Sequence, residues 1–108
     1  MQPLFSIITV TYNAAATIGP TLESVRAQTS RLYEYIVIDG ASKDDTVRRV
    51  KDSGIESLRI ISEPDRGLYD AMNKGLAIAR GEYVIFLNAG DRFHSPDTLK
   101  LLTDAVMD

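Results

Sequence analysis

The sequence has no cysteine, no tryptophan and a single histidine among its 108 residues. The absence of cysteine excludes disulfides and thiolate metal sites, and one imidazole, that of His94, cannot build a zinc site of several histidines. Any metal ion bound here is therefore expected to have oxygen ligands.

Positive charge is also scarce, since 12 Lys and Arg stand against 15 Asp and Glu and the formal net charge is −3. Nonspecific binding of nucleic acid depends on clustered basic residues, so nucleic acid is not an expected partner. No apolar stretch approaches the ~20 residues of a membrane-spanning helix, and the N-terminus lacks the pattern of a signal peptide. The sequence predicts one folded cytoplasmic domain.

Four short runs rich in β-branched and aromatic residues predict strands. They cover residues 5–11, 35–39, 58–62 and 83–88. Because the runs are nearly continuous in apolar character, we expect a parallel sheet that helices cover on both faces.

Segments with helical spacing separate these strands. The residues predicted to face inward are, helix by helix, Ile18, Leu22 and Val25; Val47 and Val50; Leu68, Met72, Leu76 and Ala79; and Leu99, Leu102 and Val106. Gly54 and Gly81 are predicted to end the second and third helices, Gly75 to permit close packing, and Ser95-Pro96 to begin the fourth helix.

The alternation of strand and helix predicts an α/β fold with a doubly wound, mostly parallel, Rossmann-like sheet. In such sheets ligands bind beyond the carboxyl ends of the strands, near the point where the strand order reverses. The loops that follow the strands are therefore the places to search for function.

The first two strands end in polar residues. Thr11, Tyr12 and Asn13 combine a hydroxyl, an aromatic face and an amide, which could stack on a base and bond its edge, although a polar turn explains them equally well. Asp39 could accept a hydrogen bond from a uracil N–H or a ribose hydroxyl. It could also cap the next helix or serve as a phosphoacceptor, but the acidic pair of receiver domains is missing after the first strand.

The segment 63–75 is dense in charged and amide groups around a helix start, where an anionic ligand is favoured. Arg66 beside Gly67 is the preferred candidate for a pyrophosphate contact. Asp70 and Asn73 are candidates for the sugar or ribose, whereas Lys74 is better explained by surface ion pairs.

After the fourth strand, Asn88 and Asp91 place an amide and a carboxylate in one loop. This pair suits Mg²⁺ or Mn²⁺ with a diphosphate, and Asp91 is the predicted metal ligand. A plain Asp/Gly turn is the alternative, and nearby His94 is expected to be a surface residue.

Four segments, in this order and spacing, resemble the family-two glycosyltransferases, which have a GT-A-type fold. They are SIITVTYN, IVIDGASKDDT, EPDRGLYDAMNKG and GEYVIFLNAGD, and they extend over nearly the whole chain. The amino-acid sequences of these segments are most similar to those of bacterial enzymes of exopolysaccharide assembly, including the colanic acid type. The resemblance implies an inverting transfer of a sugar from a nucleotide diphosphate-sugar to a glycan or lipid-linked acceptor, with the full-length protein at the inner face of the membrane.

By this resemblance, Thr11, Tyr12 and Asp39 lie at the nucleobase, and the loop after the fourth strand holds the metal and diphosphate. Two departures stand out. The family usually has paired aspartates where this chain has Asp39-Gly40. It also has an Asp-x-Asp-Asp run where this chain has Asn88-Ala89-Gly90-Asp91, so Asp91 is the one carboxylate left at this position.

The family's acceptor site and general base lie in a C-terminal half that these residues do not include, so no catalytic residue is assigned. Residues 1–108 are therefore expected to be a single donor-binding domain of a truncated enzyme. The alternative is a nucleotide-binding or assembly module without catalysis.

Overall fold

The computed structural model describes residues 2–107. The strands are β1 (Phe5–Thr11), β2 (Tyr33–Asp39), β3 (Leu58–Ser62) and β4 (Tyr83–Phe86), and the helices are α1 (Ile18–Arg26), α2 (Thr46–Lys51), α3 (Leu68–Ile78) and α4 (Thr98–Met107). The strands pair in parallel in the order β3-β2-β1-β4. The predicted α/β fold with a parallel sheet is confirmed.

The strand order reverses at β1, which lies between β2 and β4. Thr11 pairs with Asp39, so β1 and β2 end level with each other. The last residue of β4, Phe86, pairs with Ile8, so β4 stops three residues before the end of β1. The loop after β4 therefore begins beside the last three residues of β1, at the edge where ligands bind in such sheets.

Helices cover both faces of the central strands. On one face a cluster that includes Ile7 and Val37 packs against α1, α2 and α4. On the other face Ile8, Ile36 and Ile38 pack against α3 through Ala71. This two-sided burial explains why apolar residues stand at consecutive positions in the middle of both strands, Ile7-Ile8 in β1 and Ile36-Val37-Ile38 in β2.

Helix α3 turns a different side to the sheet from the predicted one, although Ala79, which was predicted to face inward, does pack against the apolar cluster on this face. Ala71 and Gly75 are its buried residues, whereas Leu68 and Leu76 are 54% and 44% exposed. A Cβ on Gly75 would lie 2.8 Å from Cγ2 of Ile8, so the helix approaches the sheet closely, as the sequence predicted. At that separation small residues fit between helix and sheet, and the leucines project to the side.

Helix α4 and the edge strand β4 also differ from the prediction. Leu99 is buried, but Leu102 and Val106 are 38% and 39% exposed because no part of residues 2–107 covers that side of α4. Tyr83 and Phe86 of β4 are likewise exposed. The prediction of a sheet covered throughout on both faces is wrong at this edge, since periodicity reveals an apolar face but not whether a neighbour covers it.

Several boundaries shift by a few residues. Strand β2 begins two residues earlier than predicted, β4 ends at Phe86 rather than at residue 88, and α4 begins at Thr98, after a turn in which the Ser95 carbonyl accepts the Thr98 N–H. Gly54 has the predicted left-handed conformation, with φ of 78°.

Gly81 does not end α3, which stops at Ile78. A Cβ at Gly81 would lie 2.6 Å from the backbone nitrogen of Ser6, so this glycine permits close contact with β1 instead. Among the helices within residues 2–107, none is both long enough and apolar enough to span a membrane.

Candidate functional site

The carboxylate of Asp39 ends β2 and is fully buried. Its Oδ1 accepts hydrogen bonds from the hydroxyls of Thr11 (2.7 Å) and Ser42 (2.6 Å). Its Oδ2 accepts from the Ser42 N–H and the Ser62 hydroxyl, both at 2.8 Å. Since a carboxylate offers about four acceptor positions, the protein itself occupies them all.

These bonds decide the charge state of Asp39. Burial raises its pKa, but the hydrogen bonds from Ser42, Thr11 and Ser62 outweigh burial, so the pKa lies below the ordinary value of an aspartate. A buried and fully bonded carboxylate is poorly placed to attack a phosphoryl donor, which counts against the phosphoacceptor interpretation. Asp39 instead ties together the ends of β1, β2 and β3.

Asn13 supports the neighbouring turn. Its backbone is left-handed, with φ of 49°, a conformation that asparagine tolerates better than most residues. Its side-chain Oδ1 accepts the N–H of Lys43 at 2.8 Å, and its own N–H donates to the Ser42 hydroxyl at 2.7 Å. The amide of Asn13 therefore holds the segment between β2 and α2.

A cavity of about 560 Å³ opens at the ends of β1 and β2. Its lining residues come from the end of β1 and the residue after it, from the residue after Asp39, and from the loop before α3 with the first residue of that helix. They are Val10, Thr11, Tyr12, Gly40, Pro64, Asp65, Gly67 and Leu68. We call it the strand-end cavity. Tyr12 is 61% exposed at its rim, so an aromatic face is available to a planar ligand.

A second cavity of about 590 Å³ lies between α1 and residues 92–96 and includes exposed His94. It is marginally larger, but no strand end contributes to it. We favour the strand-end cavity because ligands of parallel α/β sheets bind at the carboxyl ends of strands.

The loop before α3 crosses the end of β2. A Cβ on Gly40 would lie 2.8 Å from Oδ2 of Asp65, so the Asp65 carboxylate occupies the space beside this glycine. Oδ1 of Asp65 accepts the Gly67 N–H at 3.0 Å. No sequence pattern marks Asp65 as a site residue, because only the folded chain brings it against Gly40.

The start of α3 shows which charged groups are already used by the protein. Asp70 accepts the Arg66 N–H at 2.9 Å, and the Lys74 ammonium donates to the Pro64 carbonyl at 2.9 Å and lies 3.3 Å from Glu63. These contacts stabilise the helix start. Arg66 is exposed and lies in the chain between Asp65 and Gly67, two residues that line the strand-end cavity.

Asn73 is exposed one turn further along α3, outside the lining of the strand-end cavity. Of the predicted donor contacts, the structure therefore brings Thr11 and Tyr12 into the cavity lining and leaves Asp39 directly behind Thr11.

The loop after β4 is anchored by Thr21 of α1. The Thr21 hydroxyl accepts the Gly90 N–H at 2.9 Å and donates to the Asp91 carbonyl at 2.5 Å. The Asp91 N–H donates to the Asn88 carbonyl at 3.0 Å, closing a turn. Thr21, which the sequence analysis did not identify, fixes the backbone while the side chains of Asn88 and Asp91 stay exposed.

The loop offers few ligands for a metal ion. Within residues 2–107 no three Asp, Glu or His side chains lie together as a metal site would require. A single carboxylate, that of Asp91, fits Mg²⁺ or Mn²⁺ if the remaining ligands are water and phosphate oxygens, an arrangement that Mg²⁺ often adopts.

A doubly wound parallel sheet, with an aromatic-rimmed cavity at its carboxyl edge and a loop with one exposed carboxylate after the edge strand β4, defines a class of α/β domains that bind ligands at strand ends. The profile described as Glycosyl transferase family 2 matches residues 6–108. The chain belongs to this family of glycosyltransferases.

Individual relatives agree with this assignment. A glycosyltransferase of Mycobacterium tuberculosis is 42% identical over 105 residues, which are 96% of this chain and 40% of the relative. A UDP-Glc:alpha-D-GlcNAc-diphosphoundecaprenol beta-1,3-glucosyltransferase of Escherichia coli is 38% identical over 82% of this chain and 36% of its own length. The chain thus spans about two fifths of the relatives it matches.

A solved structure extends the likeness to the fold. The mannosyltransferase of Pyrobaculum calidifontis, in complex with GDP-Man and Mn²⁺, matches with a TM-score of 0.85 and 31% identity, covering 100% of this chain and 33% of the mannosyltransferase. The GT-A-type fold expected from the sequence is confirmed.

Proposed function

We propose that this chain supplies the donor site of an enzyme that transfers a sugar from a nucleotide diphosphate-sugar to a glycan or lipid-linked acceptor. The observation that carries the proposal is the strand-end cavity, with Tyr12 at its rim. The loop that contains Asp91 follows β4, the strand next to β1. The names of two relatives support it, since one acts with UDP-Glc and the other binds GDP-Man.

The nucleoside is proposed to lie in the strand-end cavity. Tyr12 stacks on the base, and Thr11 contacts the nucleoside from the cavity wall. Asp39 and Asn13 act through other residues, because Asp39 orients the Thr11 hydroxyl and Asn13 holds the turn after β2. Such supporting contacts fix the geometry of the groups that touch a ligand.

The diphosphate is proposed to extend from the cavity toward the loop after β4. Arg66 neutralises part of its charge, Asn88 donates to it, and Asn73 contacts the ribose or sugar. Asp91 holds the divalent cation, which when bound offsets the negative charge that develops on the leaving diphosphate. The acceptor hydroxyl attacks the anomeric carbon with inversion while the bond to the diphosphate breaks.

The names of the relatives, rather than the cavity, support the proposed acceptor. The Escherichia coli relative is named for a sugar linked to diphosphoundecaprenol, which is a lipid carrier. An acceptor of this kind would bring the complete gene product to the inner face of the membrane. A general base for the acceptor hydroxyl is not assigned among residues 2–107.

Calorimetry tests the proposal on the complete gene product. We expect binding of at least one member of a panel of UDP-, GDP- and dTDP-sugars in the presence of Mn²⁺. Tyr12→Ala should weaken that binding about tenfold through the loss of stacking, whereas Tyr69→Ala, which removes another exposed tyrosine, should not. Failure of the whole panel to bind the unaltered protein would contradict the proposal.

A nucleotide-binding module without catalysis is the second candidate, and the single carboxylate of the loop after β4 favours it. The two candidates differ in turnover. An enzyme releases nucleoside diphosphate when donor and acceptor are both present, whereas a module binds the donor and leaves it intact.

A further inference from the structure

We infer that Asp65, not Asp39, is the hydrogen-bond acceptor that selects the donor's base, and that it favours bases with a ring N–H over bases with a ring lone pair at that position. Uracil, thymine and guanine belong to the first group, cytosine and adenine to the second. The inference rests on the proposed function and names a specificity residue for the same site.

Asp39 has no acceptor position to offer a base. Four donors from Thr11, Ser42 and Ser62 already occupy its two oxygens, and the residue is fully buried. A base N–H could bind Asp39 only by displacing one of these donors. That exchange would leave a buried hydroxyl or N–H without a partner, which costs about 1–3 kcal/mol in typical proteins.

Asp65 has the acceptor position that Asp39 lacks. Its Oδ1 is held by the Gly67 N–H, which fixes the orientation of the carboxylate. Among residues 2–107, no donor contacts its Oδ2, and neither oxygen forms an ion pair. The half-buried side chain lines the strand-end cavity, so this oxygen is available to a ligand there.

Gly40 makes the placement of Asp65 specific. Its missing Cβ would stand 2.8 Å from Oδ2 of Asp65, so the carboxylate occupies space that any larger residue at position 40 would fill. Gly40 is not among the residues with positive φ, so its backbone does not itself require glycine. Glycine at this position instead leaves the space that the Asp65 carboxylate occupies.

The surroundings strengthen the selection. Val10, Pro64 and Leu68 give the cavity apolar walls, in which a carboxylate forms stronger hydrogen bonds than in water. A ring N–H pairs with this oxygen, whereas the ring lone pair of cytosine or adenine repels it. Sites with a buried polar group reject ligands that leave the group unpaired.

The experiment compares UDP, GDP, CDP and ADP as probes, with calorimetry on the complete gene product and Mg²⁺ present. We expect UDP or GDP to bind at least about tenfold more tightly than CDP and ADP. Asp65→Asn should reduce that ratio about tenfold, because an amide can present either a donor or an acceptor. Asp52→Asn, on the exposed end of α2, is the matched control and should leave the ratio unchanged.

An exchange variant separates a direct contact from an effect on the loop. Asp65→Ala should lose the preference, and adding Gly40→Asp should restore it, because the new carboxylate extends from the side of the cavity that Oδ2 of Asp65 now occupies. A double variant no better than Asp65→Ala would overturn the inference, since Asp65 would then act through its loop.

The outcomes distinguish this inference from the proposed function. If the unaltered protein prefers UDP or GDP and Asp65→Asn keeps the same ratio, the inference fails and the donor site stands. If no nucleoside diphosphate binds the unaltered protein, the proposed function itself fails.

Discussion

Each end of strand β2 carries a buried carboxylate, Glu34 at the amino end and Asp39 at the carboxyl end. Oε2 of Glu34 accepts the Ser6 hydroxyl and the Arg80 N–H, both at 2.6 Å, and Oε1 accepts the Arg59 guanidinium at 2.9 Å. Burial raises the pKa of Glu34, but these hydrogen bonds outweigh it and the pKa falls below the ordinary value. Asp39 has a lowered pKa for the same kind of reason.

The two carboxylates differ in the donors that face them. Both oxygens of Glu34 meet N–H groups, which can only donate, whereas Oδ1 of Asp39 meets only hydroxyls, which can rotate and accept. A cavity borders each end, of about 570 Å³ beside Glu34 and about 560 Å³ beside Asp39. Cavity volume therefore does not distinguish a structural end from a ligand-binding end, and the unused acceptor of Asp65 does.

Glu34→Gln should produce the largest loss of stability, about 3 kcal/mol. In either orientation of the new amide its nitrogen faces an N–H donor, that of Arg80 or that of Arg59, and the ion pair with Arg59 is lost. Urea unfolding measures the free energy. Glu56→Gln, an exposed residue, is the control and should change it little. A loss below about 1 kcal/mol would mean that the amino end tolerates an amide and that the contrast is wrong.

Asp39→Asn should cost less, about 1 kcal/mol, since the amide nitrogen can replace Oδ1 and donate to the two hydroxyls that face it. The same urea titration measures the loss. An effect as large as that of Glu34→Gln would show that the hydroxyls of Thr11 and Ser42 cannot rotate to accept hydrogen bonds from the amide nitrogen.

Acid should produce a smaller effect at each carboxylate, because protonation leaves the group in place to share hydrogen bonds. Both pKa values are lowered by folding, so the stabilisation is present above the unfolded pKa of about 4 and is lost as the pH falls through the folded values. Unfolding free energy measured from about pH 6 to about pH 3 should decline. Asp39→Asn should decline less steeply, and equal slopes would contradict the lowered pKa of Asp39.

The sequence predicted the fold because strand composition and helical spacing are local properties. Thr11 and Asp39 could be assigned to one edge, since parallel strands end together. The close packing at Gly75 could also be predicted, but the inward face of α3 could not. The small residue Ala71 faces the sheet there, and the apolar pattern points to the larger leucines instead.

The residues that the sequence analysis missed act across the fold. Asp65 meets Gly40 from a loop 25 positions later, and Thr21 holds the Asp91 carbonyl 70 positions away. Thr21 lies within the apolar stripe of α1, where a buried polar residue must find a partner. That requirement was a readable signal, although it could not name the partner.

The carboxylate of Asp91 extends the comparison to a third position, because it is exposed and its backbone, not its side chain, is anchored. Asp91→Asn should therefore change the unfolding free energy by less than about 0.5 kcal/mol, the smallest effect in this series. It should also abolish the gain in donor affinity that Mn²⁺ gives, because an amide lacks the charge that binds the ion. Calorimetry with and without Mn²⁺ measures that gain, with Asp104→Asn on exposed α4 as the control. If Asp91→Asn keeps the gain, the ion is held without this side chain, and the loop after β4 is a structural turn like the amino end of β2.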